Sequence, residues 1–154
     1  MVECLTNEER QRLSEILDGL AVAVLATVNR DGSPQISPIW YRYADGCLTM
    51  STTRETLKYR NVLRDSRISV CIYPEVEAIE YVMMRGRADV VVDESWWPET
   101  QAIIERHETP RRAAERMSRL RSQDRAIISL KPERVVVSRS SGRWISKRGG
   151  APSK

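Results

Sequence analysis

The chain opens in a helical rhythm. Leu13, Ile16, Leu17 and Leu20 fall on one face of a helix, the spacing expected when one stripe is buried. Thr6-Asn7-Glu8-Glu9 has the form of a capping box, so the helix is expected to run from there to Asp18, with Gly19 as its stop. Residues 21–28 are then short, apolar and β-branched, the composition of a buried strand. Asn29-Arg30-Asp31-Gly32 predicts a hairpin turn into a second strand over residues 34–43. Pro34 and Pro38 withhold ladder donors, so part of that strand must be edge or bulged. Asp45-Gly46 turns the chain into a third strand over residues 47–51, followed by a short helix over residues 54–64.

A fourth strand is expected over residues 68–73, and a long one over residues 79–92, where Gly86 marks a bend or bulge. After Asp93 the rhythm is helical again. Ser95 is a candidate cap, Ile103 and Ile104 supply apolar positions, and Thr109-Pro110 restarts a helix in cap-then-N1-proline order. Residues 126–137 return to strand, interrupted at Pro132. Strands joined by tight turns must be antiparallel. The order therefore predicts a mainly β, α+β domain over residues 1–138: one antiparallel sheet closing into a small barrel with helices at its ends. Residues 139–154 are expected to form a basic, flexible tail. A dinucleotide-binding reading fails, because no GxGxxG follows the first strand.

Composition adds bounds. The 154 residues are 41% hydrophobic and 30% charged, enough for one domain with a real core. No apolar run approaches the ~20 residues of a membrane span. Acidic residues interrupt the N-terminus throughout, unlike a signal peptide, which points to the cytoplasm. Cys4, Cys47 and Cys71 are far apart and form no CxxC pair, a poor basis for disulfide or zinc. Cys47 and Cys71 sit in apolar runs and are expected to be small core residues. The net charge of +4 is spread along the chain rather than blocked. Solvated faces explain it better than an anionic small ligand, and nucleic acid comes last.

The stretch Ser51-Thr52-Thr53 followed by Lys58 and Asn61 is the strongest chemical signal. Hydroxyls and free N–H groups at a helix start suit an oxyanion, and a nearby lysine adds charge. Without further context, Lys58 and Asn61 read better as an exposed helix face. On the second strand Gln35, Ser37, Ile39 and Tyr41 share one face by period 2. His107, the only histidine, reads as a charge partner for a helix C-terminus, and no triad or metal cluster can be built around it.

Three blocks carry a family resemblance: residues 26–40, with Asp31-Gly32-Ser33-Pro34-Gln35; residues 48–53; and Lys58-Tyr59-Arg60-Asn61 through Val70. Arg85-Gly86 continues it more weakly. Together they resemble the split β-barrel flavin and deazaflavin oxidoreductases, the superfamily of pyridoxamine 5'-phosphate oxidase, and look most like its deazaflavin F-420 branch. The resemblance implies a homodimer with two cofactor sites at the subunit interface. It implies Gln35 and Ser37 at the ring, Ser51, Thr52 and Thr53 near ring and phosphate, Lys58 and Asn61 at the phosphate, and Tyr81 or Glu80 reaching the partner's cofactor. Deazaflavin binders of this type often carry a second basic residue two positions before the lysine. Here that position is Thr56, with Arg54 as a possible substitute; without it, FMN gains ground. The implied activity is hydride transfer between F-420 and a small conjugated organic substrate. The alternatives are an FMN-dependent oxidase or reductase, and a non-catalytic binder of flavin, haem or another tetrapyrrole. No side chain stands out as proton donor beyond Tyr41, Tyr43 and Tyr81.

Overall fold

A computed structural model describes residues 5–74 and 80–138; the expected basic tail and Cys4 lie outside them. The elements are α1 (Asn7–Asp18), β1 (Ala23–Val28), β2 (Pro34–Ile39), β3 (Tyr41–Ala44), β4 (Cys47–Thr53), α2 (Leu57–Arg64), β5 (Arg67–Ile72), β6 (Val82–Val91), α3 (Trp96–His107), α4 (Pro110–Leu120), β7 (Arg125–Leu130) and β8 (Arg134–Val137). The capping box of α1 forms on both sides, Thr6 Oγ1 accepting from Glu9 N and Glu9 from Thr6 N. Leu13, Ile16 and Leu17 are buried as the rhythm requires, but Leu20 lies past the helix end and is 69% exposed. Gly19 stops the helix in an extended conformation, and Arg106 donates to the carbonyls of Leu17 and Gly19.

All strand pairs are antiparallel, in the order β2-β1-β5-β6-β7-β4-β3, with β8 also on β6. The expected strand over residues 34–43 is two strands broken at Trp40. β2 pairs with β1, and β3 pairs with β4 at the far end of the order. One continuous segment thus joins both ends of the sheet and curls it into a split β-barrel. Pro34 and Pro38 sit on the edge strand β2, where a missing N–H costs least. β6 serves both halves: Val82 to Arg87 pairs with β5, and Ala88 to Val91 with β7. Gly86 lies at this changeover. A Cβ there would meet Glu133 N at 3.1 Å and Leu130 Cδ1 at 3.2 Å, so the close backbone crossing favours glycine.

The barrel interior holds Leu25, Tyr41, Leu48, Met50, Ile72, Val82, Met84, Ile128 and Leu130, with α1 and Val62 of α2 packed onto the same core. A smaller cluster of Ile104, Ala113 and Met117 joins α3 to α4, with Trp40 and Trp97 against it. Ser95 does not cap α3; its hydroxyl donates to Asp93 instead. Cys47 and Cys71 are half-buried rather than core residues, because alternation places them on the outer strand faces.

Candidate functional site

β4 runs directly into α2, and three threonines build the turn. The helix starts at Leu57, later than the expected 54, because Thr56 is its N-cap. Thr56 Oγ1 donates to Thr53 O at 2.9 Å and accepts from Tyr59 N at 3.4 Å. Its single proton is spent on Thr53, so in the 3.0 Å contact of Thr52 Oγ1 with Thr56 Oγ1, Thr52 is the donor. Arg54 stays outside the helix. It pairs with Asp124 at 3.1 Å and donates to the Tyr59 hydroxyl at 3.2 Å, so its charge is already matched.

Lys58 follows the cap at the second position of α2. It is half-buried, and no described carboxylate lies at ion-pair distance. Burial pushes its ammonium pKa down. A partly desolvated, unneutralised cation beside the start of a helix favours an anion.

Asn61, three positions on, is fully buried. Its Nδ2 donates to Thr27 Oγ1 at 3.1 Å and Asn29 Oδ1 at 2.9 Å, while its Oδ1 accepts from Arg64 at 3.1 Å. Thr27 Oγ1 in turn donates to Gln35 Oε1 at 2.9 Å. Asn61 therefore ties α2 through β1 to the edge strand, and both of its amide protons are spent inside the protein. Gln35 is thereby held with its carbonyl turned to Thr27, and its Nε2 donates to Ile36 O at 2.9 Å. Ser37, two residues further on the same face, is enclosed, and its Oγ has no hydrogen-bond partner among the described residues.

Ser51 and Thr53 point to the opposite side of β4 from Thr52. There Ser51 meets a residue that the sequence reading missed. Arg125 on β7 donates Nε and Nη2 to Ser51 Oγ at 3.1 and 3.0 Å, and Ser51 Oγ lies 2.7 Å from the buried Thr100 Oγ1 of α3. Arg125 is 74 residues from Ser51 in sequence, and no local pattern signals the meeting. Tyr81 precedes β6, its carbonyl accepting from Ser138 N at 2.9 Å, and Glu80 pairs with Arg12 of α1.

The expected candidates thus fall into four places: Gln35, Ser37 and Asn61 along β2 and its support; Thr52, Thr53 and Lys58 at the start of α2; Ser51, which meets the unexpected Arg125; and Tyr81 ahead of β6. His107 stands in the last turn of α3, at the helix C-terminus expected of it, but its role there differs. Its ring stacks on Trp40 at 4.9 Å and 9°, with Arg116 4.6 Å from the Trp40 ring. Burial pushes its pKa down, so it is a neutral stacking group and not a charge partner. The Tyr41 hydroxyl donates to Leu17 O at 3.2 Å inside the core, and burial raises the pKa of both Tyr41 and Tyr43. Among the described residues no group of three His, Cys, Asp or Glu side chains is placed to hold a metal, and no helix is long and apolar enough to cross a membrane.

The family model described as Pyridoxamine 5'-phosphate oxidase matches residues 10–138. Among solved structures, one named F-420 reductase is 24% identical, with a TM-score of 0.63 over 79% of this chain and 94% of that one. A conserved hypothetical protein from Mycobacterium tuberculosis is 19% identical, with a TM-score of 0.71 over 97% and 95%. A heme binding protein from Mycobacterium smegmatis is 20% identical, with a TM-score of 0.73 over 93% of this chain and 59% of that one. At these identities the structural likenesses speak for the fold alone.

Proposed function

Because the chain belongs to the pyridoxamine 5'-phosphate oxidase family, whose members bind flavins or deazaflavin, we propose that it is an oxidoreductase using the deazaflavin coenzyme F-420, passing a hydride to or from a small conjugated organic substrate. The observation that carries this reading is Lys58: a half-buried cation without an acidic partner, at the start of a helix flanked by Thr52, Thr53 and Thr56. The residues present fit a phosphorylated flavin-type ligand in a second respect. The enclosed Ser37 hydroxyl has no partner within the described chain, and an unmet buried polar group costs about 1–3 kcal/mol. A ring edge offering hydrogen-bond groups along β2 would meet it. The solved F-420 reductase of the same fold adds support.

When bound, the deazaflavin supplies the hydride chemistry, and the protein supplies position and electrostatics. Lys58 and the Thr53 hydroxyl bind the phosphate, the Thr52 and Thr56 protons being spent within the turn. Gln35, oriented by the Asn61–Thr27 relay, and Ser37 set the ring on the edge strand. Asn61 thus acts through Gln35. Burial makes Tyr41 and Tyr43 poorer acids, so solvent protonates the product.

The homodimer belongs to the same proposal. On the first half of the sheet, Pro38, Val24, Cys71 and Met83 stand in one cross-strand row on the face opposite the core. Ile36 beside them is 67% exposed. Such an apolar face suits a second copy of the chain, with cofactor sites at the interface and Tyr81 near the partner's.

FMN is the second reading. Arg54 is neutralised by Asp124 and Thr56 is spent as a cap, so the long anionic tail of the deazaflavin finds fewer cations at this turn. A haem reading lacks an axial ligand in His107, whose ring lies flat against Trp40. Titration of the protein with F-420 and separately with FMN, followed by tryptophan fluorescence, tests the proposal. Micromolar binding of F-420, weakened about tenfold or more in Lys58→Ala, is expected from the loss of a charge-assisted contact. Preference for FMN supports the second reading, and binding of neither overturns both. Light scattering at the same concentrations is expected to give twice the mass of one chain.

A further inference from the structure

Arg125 is a cation set inside the fold without an acid. Its partners are the Ser51 hydroxyl, through Nε and Nη2, and Gln123 Oε1, through Nη1 at 2.7 Å. No ion pair to it occurs among the described residues. The acid beside it in sequence, Asp124, is paired with Arg54. Burial pushes the Arg125 pKa down, the sign of a desolvated charge that nothing compensates.

The hydrogen-bond count is decisive. A hydroxyl has two acceptor sites and one proton. Ser51 Oγ accepts twice from Arg125, so its proton goes to Thr100 Oγ1, 2.7 Å away. Ser51 is then saturated and has nothing to offer a ligand. A guanidinium has five N–H groups, and three of those on Arg125 are used in described bonds, which leaves one on each Nη. Arg125 faces Thr53 directly in the β4–β7 register, on the same strand face. Thr53 is the residue whose carbonyl anchors the α2 cap. The residue stays partly exposed, so an anion reaches it from solvent.

We propose that Arg125, held by Ser51 and Thr100, is an oxyanion-binding residue for the phosphate of the cofactor, and that it supplies a second cation in addition to Lys58. This rests on the reading above. Ser51 and Thr100 are positioning residues: they fix the guanidinium plane. Arg54 cannot take this role, being paired, and Thr56 carries no charge.

The test compares F-420 with its phosphate-free deazaflavin riboside on the wild type, Arg125→Gln, Arg125→Lys and Ser51→Ala. Arg125→Gln is expected to weaken F-420 about 10- to 100-fold, the worth of a charge-assisted pair, and to leave the riboside unchanged. Arg125→Lys keeps the charge without the fork and is expected to fall between. Ser51→Ala is expected to move F-420 in the same direction by less. Equal losses for F-420 and riboside in Arg125→Gln overturn the proposal, because a structural role moves both; so does no loss in either. Inorganic phosphate provides a readout independent of the cofactor. It is expected to raise the wild-type melting temperature above that in sodium chloride of equal ionic strength, and not that of Arg125→Gln. If the wild type binds no deazaflavin or flavin, the cofactor reading fails, and a phosphate effect lost in Arg125→Gln still upholds the anion site. Absence of both effects overturns the site as well.

Discussion

Asn61→Ala separates a scaffold from a ligand contact. Asn61 is fully buried and its amide makes three side-chain hydrogen bonds, two donated to Thr27 and Asn29 and one accepted from Arg64. Each is worth about 0.5–1.5 kcal/mol net. Asn29 and Arg64 are not fully buried and regain water, whereas Thr27 keeps only its bond to Gln35. With the void left by the amide, the loss comes to roughly 2–3 kcal/mol, which for a domain of this size lowers the melting temperature by about 4–12 °C. Urea unfolding followed by circular dichroism measures it, with the slope expected to stay constant. Asn61→Asp is the sharper arm. It keeps the shape but turns the donor into an acceptor facing Thr27 Oγ1 and Asn29 Oδ1, so it is expected to be worse at neutral pH and partly relieved in acid, where the carboxyl protonates. If Asn61→Ala leaves stability within about 0.5 kcal/mol, the usual range of harmless surface changes, and instead weakens only phosphorylated ligands, the scaffold argument is refuted and Asn61 touches the phosphate directly.

Two other perturbations follow. His107 has its pKa lowered by burial, with the Arg106 charge adding to the effect and the Tyr41 backbone and Glu108 opposing it. The unfolded chain therefore binds its proton first: this stability is complete above about pH 6.5 and falls as pH drops through the lowered folded value. Unfolding curves across pH 5–8 are expected to show that slope, and His107→Phe, which keeps the Trp40 stack, to flatten it. Gly86→Ala pushes a methyl to 3.1 Å from the Glu133 backbone nitrogen and 3.2 Å from Leu130. A cost of about 1–3 kcal/mol is expected from overpacking, and an unchanged urea midpoint would show that the β6 changeover yields freely.

Much of this protein is written locally. The capping box at Thr6, the Asp-Gly turns, the proline-marked edge and the pause at Pro132 are each short-range chemistry, and the elements stand close to where those signals place them. The antiparallel order follows, since tight turns leave strands no other pairing. Lys58 and the hydroxyl turn before it are legible for the same reason, lying within eight residues of each other. The break at Trp40 was not legible: no glycine, proline or turn residue marks it between Ile39 and Tyr43, and only closure of the barrel demands that one half pair with β1 and the other with β4. Likewise, the spacing of Asn61 places it on a helix but not in the interior. Packing against β1 turned it inward, and Thr27, 34 residues away, gave it a partner. Arg125 is the extreme case, an ordinary strand-end arginine until β7 pairs with β4 and sets it on Ser51. Local sequence determines backbone propensities and turn chemistry, because those depend on neighbours in the chain. Which polar groups are desolvated, and which then meet, depends on pairings across the barrel, and only the tertiary structure decides those.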